Sequence, residues 1–122
     1  MSPGARTVLI VDDDPQVLRL VERLLRPRNV KVLIAPRPAE ALSICESEPV
    51  HLLISDVAMP EMDGGKLAER VLKLHREASV LLISGHYKEA PAALKGGHVL
   101  FLRKPFFPSE LLRYLRQLLP EA

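Results

Sequence analysis

Thr7-Val8-Leu9-Ile10-Val11, followed at once by Asp12-Asp13-Asp14-Pro15, decides the fold class. A continuous apolar run without alternation suits a strand covered on both faces, as strands of a parallel sheet are. Three acids end it abruptly. Asp14-Pro15 then reads as a helix start: a capping carboxylate, then proline in the first turn, where its missing N–H has no intrahelical partner to lose. The helix is expected to run to about Arg26 and to turn Val17, Leu18, Val21, Leu24 and Leu25 inward, with Arg19, Glu22, Arg23 and Arg26 outside. Pro27 stops it.

Outward from this unit the same pattern recurs. Residues 30–34 form a second apolar strand, and its Lys31 suggests a place near the sheet edge. A short helix over about 38–46 aligns Ala39, Leu42 and Cys45. A third strand, 50–55, ends at Asp56, and a loop over 59–65 leads to a helix at 66–75 with Leu67, Val71 and Leu74 on one face. A fourth strand, 80–83, ends at Ser84-Gly85. Residues 89–95 are expected to hold a short helix, interrupted by Pro91 and closed by Gly96-Gly97. A fifth strand, 99–102, ends at Arg103-Lys104-Pro105, and Ser109 is expected to cap a last helix bearing Leu111, Leu112, Leu115, Leu118 and Leu119. Short apolar strands joined by helical crossovers imply an α/β fold, a doubly wound parallel sheet with helices on both faces. With no linker, repeat or second core, residues 1–122 are expected to form one domain, its core spanning about 6–119.

Composition narrows the function. Of 122 residues, 48% are apolar and 26% charged, which excludes global disorder. Seventeen basic against fifteen acidic residues leave a net charge of +2, too small to argue for nucleic-acid binding. The single cysteine, Cys45, makes neither an internal disulfide nor a zinc site alone. No apolar run approaches the roughly 20 residues that cross a bilayer, and the start of the chain does not read as a signal peptide. A cytoplasmic protein without membrane contact is the expectation.

Ligands of open α/β sheets bind at the carboxyl ends of the strands. There the sequence puts Asp12, Asp13 and Asp14 after strand one, Asp56 after strand three, Ser84 after strand four and Lys104 after strand five. Any one of these alone would be a cap, a turn residue or a solvated charge; together they fall on one rim. Clustered carboxylates repel unless a cation neutralises them, and an all-oxygen set favours a hard divalent ion such as magnesium, with Asp12, Asp13 and Asp56 as ligands. Lys104 would balance anionic charge from the other side. A carboxylate so placed is a plausible nucleophile toward phosphorus, with Ser84 as a donor to a phosphoryl oxygen.

The pieces Val8-Leu9-Ile10-Val11-Asp12-Asp13-Asp14-Pro15, Asp56-Val57-Ala58-Met59-Pro60-Glu61-Met62-Asp63-Gly64, Ser84-Gly85 and Lys104-Pro105-Phe106 together resemble the receiver domain of two-component response regulators, over essentially the whole chain. The stretches at 82–87 and 101–108 look like receivers fused behind hybrid histidine kinases. The resemblance implies a flavodoxin-like strand order 2-1-3-4-5. It implies that Asp56 accepts a phosphoryl group from a histidine kinase or histidine phosphotransfer domain. Asp12, Asp13, Asp56 and the backbone carbonyl of Ala58 would hold Mg2+, while Ser84 and Lys104 grip the phosphoryl group. The bond before Pro105 would be cis. Ser84 and Phe101 would form a hydroxyl–aromatic switch; read without the family, Phe101 is simply core. Asp14 is read as the cap of the first helix rather than as a ligand.

Departures from the family pattern cluster between residues 88 and 98, where Pro91, Gly96 and Gly97 interrupt the fourth helix. Ala58 and His86 occupy positions that tune phosphate lifetime in the family: Ala58 offers no group to position water, and His86 is either such a group or a loop residue. The expected function is a phosphorelay switch rather than an enzyme, taking part only in its own phosphotransfer and autodephosphorylation, with a downstream protein or fused output domain as its target. Two alternatives are a pseudo-receiver that only binds proteins, and a phosphatase of the haloacid dehalogenase type. The intact acid, serine and lysine set argues against the first. Ala58, where the second class needs a general-acid aspartate, argues against the other.

Overall fold

The computed structural model describes residues 6–85 and 98–120. The elements are β1 (Arg6–Val11), α1 (Pro15–Leu25), β2 (Val30–Ala35), α2 (Pro38–Ser47), β3 (Leu52–Asp56), α3 (Gly64–Leu74), β4 (Ser79–Ser84), β5 (Val99–Arg103) and α4 (Pro108–Leu118). The five strands pair in parallel in the order β2-β1-β3-β4-β5, the expected doubly wound arrangement. Strand β2, with its exposed Lys31, lies on an edge.

Alternation along the central strands divides the core into two layers. Val8, Ile10, Leu52, Ile54, Leu81 and Ile83 pack under Val17, Val21 and Leu25 of α1 and Leu111 and Leu115 of α4. Leu9, Val11, Leu53, Val80 and Leu82 pack under Ala41 and Cys45 of α2 and Leu67, Ala68 and Val71 of α3. Both faces of β1 and β3 are therefore dry, which is why Val8–Val11 and 52–54 run apolar without a polar alternate. Among the described residues no helix is long and apolar enough to cross a membrane.

Local differences from the sequence reading have simple causes. In α2, Ala41 rather than Ala39 faces the core beside Cys45, and Ala39 is exposed. Helix α3 begins two residues early, at Gly64, because Asp63 caps it by accepting the Lys66 N–H at 2.9 Å. Leu74, expected on its apolar face, is 50% exposed in the last turn. Helix α4 starts at Pro108, before the expected cap Ser109. The Phe107 N–H donates to Glu110 Oε1 at 2.9 Å, and this side chain closes the first turn instead. The helix expected at 89–95 lies outside the described residues.

Candidate functional site

Strands β1, β3 and β4 end side by side at the carboxyl edge, and the residues at or just past their ends carry the polar groups. Asp12 follows β1 and is 1% exposed. Its carboxylate turns back to accept the Asp14 N–H at 2.8 Å, while Asp14 accepts the Gln16 N–H at 2.9 Å and caps α1, as its place before Pro15 suggests. Asp13 is exposed beside them. Asp56 ends β3 and is nearly buried, its Oδ1 accepting the Ala58 N–H at 3.3 Å. One carboxylate oxygen each from Asp12, Asp13 and Asp56 lies within 4.8 Å of the others.

Lys104 closes the far side. Its N–H donates to the Ser84 carbonyl at 2.9 Å, which closes the β4–β5 ladder at Ser84↔Arg103, and the peptide between Lys104 and Pro105 is cis. Nζ stands 3.7 Å from Asp56 Oδ2 and 4.0 Å from Asp12 Oδ2. That Asp12 oxygen is buried and accepts no hydrogen bond. The Asp12 carboxyl is pushed up to about 6, chiefly by burial and less by the Asp56 and Asp13 carboxylates, against the downward pull of the Asp14 N–H and the Lys104 charge. A buried carboxylate oxygen with no donor, facing two further carboxylates, suits an oxygen-coordinated divalent cation. The donor set fits magnesium.

The other expected residues divide. Ser84 is fully buried at the end of β4. Phe101 is half-buried in the α2/α3 layer opposite Leu82, on the same face of the sheet as Ser84 and away from the carboxylates. Ala58 is exposed two residues beyond Asp56. His86 lies outside the described residues.

A steric requirement went unread in the sequence. The N–H of Gly64 donates to the Val57 carbonyl at 2.8 Å, and a Cβ built on Gly64 would stand 2.2 Å from the Asp56 carbonyl oxygen. Helix α3 thus docks its first residue directly on the backbone of Asp56, and only glycine permits that approach. The Asp63-Gly64 pair is a capping residue followed by a residue without a side chain. It was the available signal, but nothing in it tells which backbone the glycine approaches.

Residues 8–116 match the response regulator receiver domain family. The chain belongs to that family. Receivers are the phosphoacceptor switches of two-component signalling, not classical enzymes, and this receiver shares their acidic rim. It is 41% identical to a Leptolyngbya boryana protein described as an uncharacterized 14.6 kDa protein in the sodA1 3′ region, over 90% of this chain and 87% of that one. It is 36% identical to the sensor kinase CckA of Brucella abortus over 95% of its own length, and spans only 13% of that kinase. Among solved structures, the receiver domain from the hybrid histidine kinase CckA superposes with a TM-score of 0.77 at 36% identity, covering 93% of this chain and 98% of the other.

Proposed function

We propose that this receiver works as one phosphorelay unit, accepting a phosphoryl group on Asp56 from a phosphohistidine of a histidine kinase or histidine phosphotransfer domain. The observation that carries the reading is the convergence of Asp12, Asp13 and Asp56 around a buried carboxylate oxygen that accepts no hydrogen bond, with Lys104 Nζ 3.7 Å from Asp56. An oxygen of the Asp56 carboxylate bonds to phosphorus as the phosphorus–nitrogen bond of the donor breaks. The electron pair stays on the imidazole nitrogen, which takes up a proton, and the product is an acyl phosphate. Lys104 balances charge on the phosphoryl oxygens. Asp12, Asp13, Asp56 and the Ala58 carbonyl would hold Mg2+, which when bound offsets the negative charge of carboxylates and phosphoryl group together.

The switch follows from the same rim. A phosphoryl group on Asp56 brings strong acceptor oxygens to the end of β4, where Ser84 gains a bond by moving toward it. Phe101, on the same sheet face, fills the space released, and a downstream protein or fused output domain reads that face. The cytoplasm is the compartment where such a kinase partner would be met.

Intact-mass measurement with acetyl phosphate tests the acceptor. One added phosphoryl group is expected in wild type, dependent on magnesium and absent from Asp56→Asn. Equal labelling of Asp56→Asn would sink the assignment.

A further inference from the structure

Ser55 is the one polar residue on the α2/α3 side of β3. Its neighbours in register, Val11 and Leu82, and Leu53 on its own strand all belong to that apolar layer, and Ser55 is 1% exposed. A hydroxyl there needs a partner. It donates to the carbonyl of the next residue, Asp56, at 2.8 Å. The pairing of β1 with β3 ends at Val11↔Ser55, so the Asp56 carbonyl lies just beyond that ladder. The serine hydroxyl supplies the donor at the point where the sheet stops.

The same peptide unit is held at its other end. The Val57 N–H donates to the Ile83 carbonyl of β4 at 3.0 Å. The bare Cα of Gly64 presses on the oxygen side, where an added Cβ would come within 2.2 Å. One peptide plane is thus bonded through its oxygen, bonded through its hydrogen, and blocked on one flank. The Asp56 Cα belongs to that plane, so holding the plane narrows the directions in which its Cα–Cβ bond can point.

We propose that Ser55 is a positioning residue for the phosphoacceptor, its hydroxyl locking the Asp56–Val57 peptide so that the Asp56 carboxylate faces the incoming phosphorus. The proposal rests on the reading of Asp56 as acceptor. Ser55 touches neither donor nor metal site and acts only through the backbone. Near-attack geometry is steep in position, so a loosened carboxylate loses rate before it loses binding.

The test compares Ser55→Ala and Ser55→Thr in the full chain. With acetyl phosphate and saturating magnesium, Ser55→Ala should slow phosphorylation about tenfold, while its magnesium dissociation constant stays within about twofold of wild type. Ser55→Thr, which keeps the hydroxyl, should restore the rate to within about threefold. In magnesium-free protein the Asp56 carbonyl carbon resonance should move upfield in Ser55→Ala, as expected for a lost hydrogen bond, and stay in place in Ser55→Thr. Wild-type rate in Ser55→Ala overturns the proposal. So does a slowing that Ser55→Thr shares, or one that follows weakened magnesium binding. Labelling of Asp56→Asn at the wild-type rate is a separate outcome: it overturns the acceptor reading, and this proposal with it.

Discussion

The two edges of the sheet treat the same strands in opposite ways. At the amino edge, β1 and β3 are tied by reciprocal bonds: the Thr7 N–H donates to His51 Nδ1 at 2.9 Å, and the His51 N–H returns to the Thr7 carbonyl at 2.9 Å. The Ser79 N–H carries the network on to the His51 carbonyl, also at 2.9 Å. At the carboxyl edge those strands end in carboxylates that face each other, and one buried oxygen of Asp12 has no donor. Polar groups at the first edge are paired and add stability. At the second they repel one another, a cost that a bound divalent cation would offset.

Three experiments would break or sharpen this contrast. The largest effect is expected from Gly64→Ala. A methyl 2.2 Å from the Asp56 carbonyl oxygen meets backbone, which cannot step aside as a side chain can. Urea unfolding should show a loss of at least about 3 kcal/mol, together with impaired phosphorylation. A fully stable Gly64→Ala would show that α3 does not need its close seat at the site.

Asp12→Asn should act in the other direction. The folded-state pKa of Asp12 is raised to about 6, above the about 3.9 of an unfolded chain. The native state therefore binds the extra proton between those values. Without magnesium, stability should fall as pH rises from about 4 to 6 and then level off. The full difference is at most about 3 kcal/mol, on the order of two pKa units. Asp12→Asn should remove this slope and make the metal-free protein more stable at neutral pH, by about 2 kcal/mol. Millimolar magnesium should stabilise wild type and leave Asp12→Asn little changed. Melting curves across pH, with and without the ion, decide it. A wild type that magnesium does not stabilise would favour a pseudo-receiver.

The smallest effect belongs to the amino edge. His51→Ala removes the acceptor of the Thr7 N–H and should cost about 1 kcal/mol in urea unfolding, with the phosphorylation rate unchanged. If that rate fell, the two edges would be coupled rather than independent.

Much of this was legible beforehand, for reasons that differ by residue. Runs such as Val8 to Val11 carry no polar alternate, so a two-sided parallel sheet follows from them directly. The rim acids were readable because strand ends are marked by abrupt charge, and Lys31 marked the edge strand. Contacts between remote backbones were not readable. Gly64 resembles any loop glycine until α3 is seen seated on Asp56, and Ser55 resembles a tolerated small residue until its hydroxyl is found past the end of a ladder. Helix faces slipped where apolar residues were sparse: three small or medium side chains in α2 did not distinguish Ala39 from Ala41. In α4 Ser109 has the residue type of a cap, yet the side chain of Glu110 is the one that reaches back to the Phe107 N–H.

Strand β1 leaves the amino edge at Arg6, and α4, descending from the carboxyl edge, brings Arg116 down beside Arg23 and Arg28 at the far end of α1. The outer ends of the described fold, at Arg6 and after α4, therefore lie on the side opposite the carboxylates. A neighbour spliced in at either point need not shadow the rim. For practical work, reporters or tethers belong at these two exits, where they leave the approach of a phosphodonor clear.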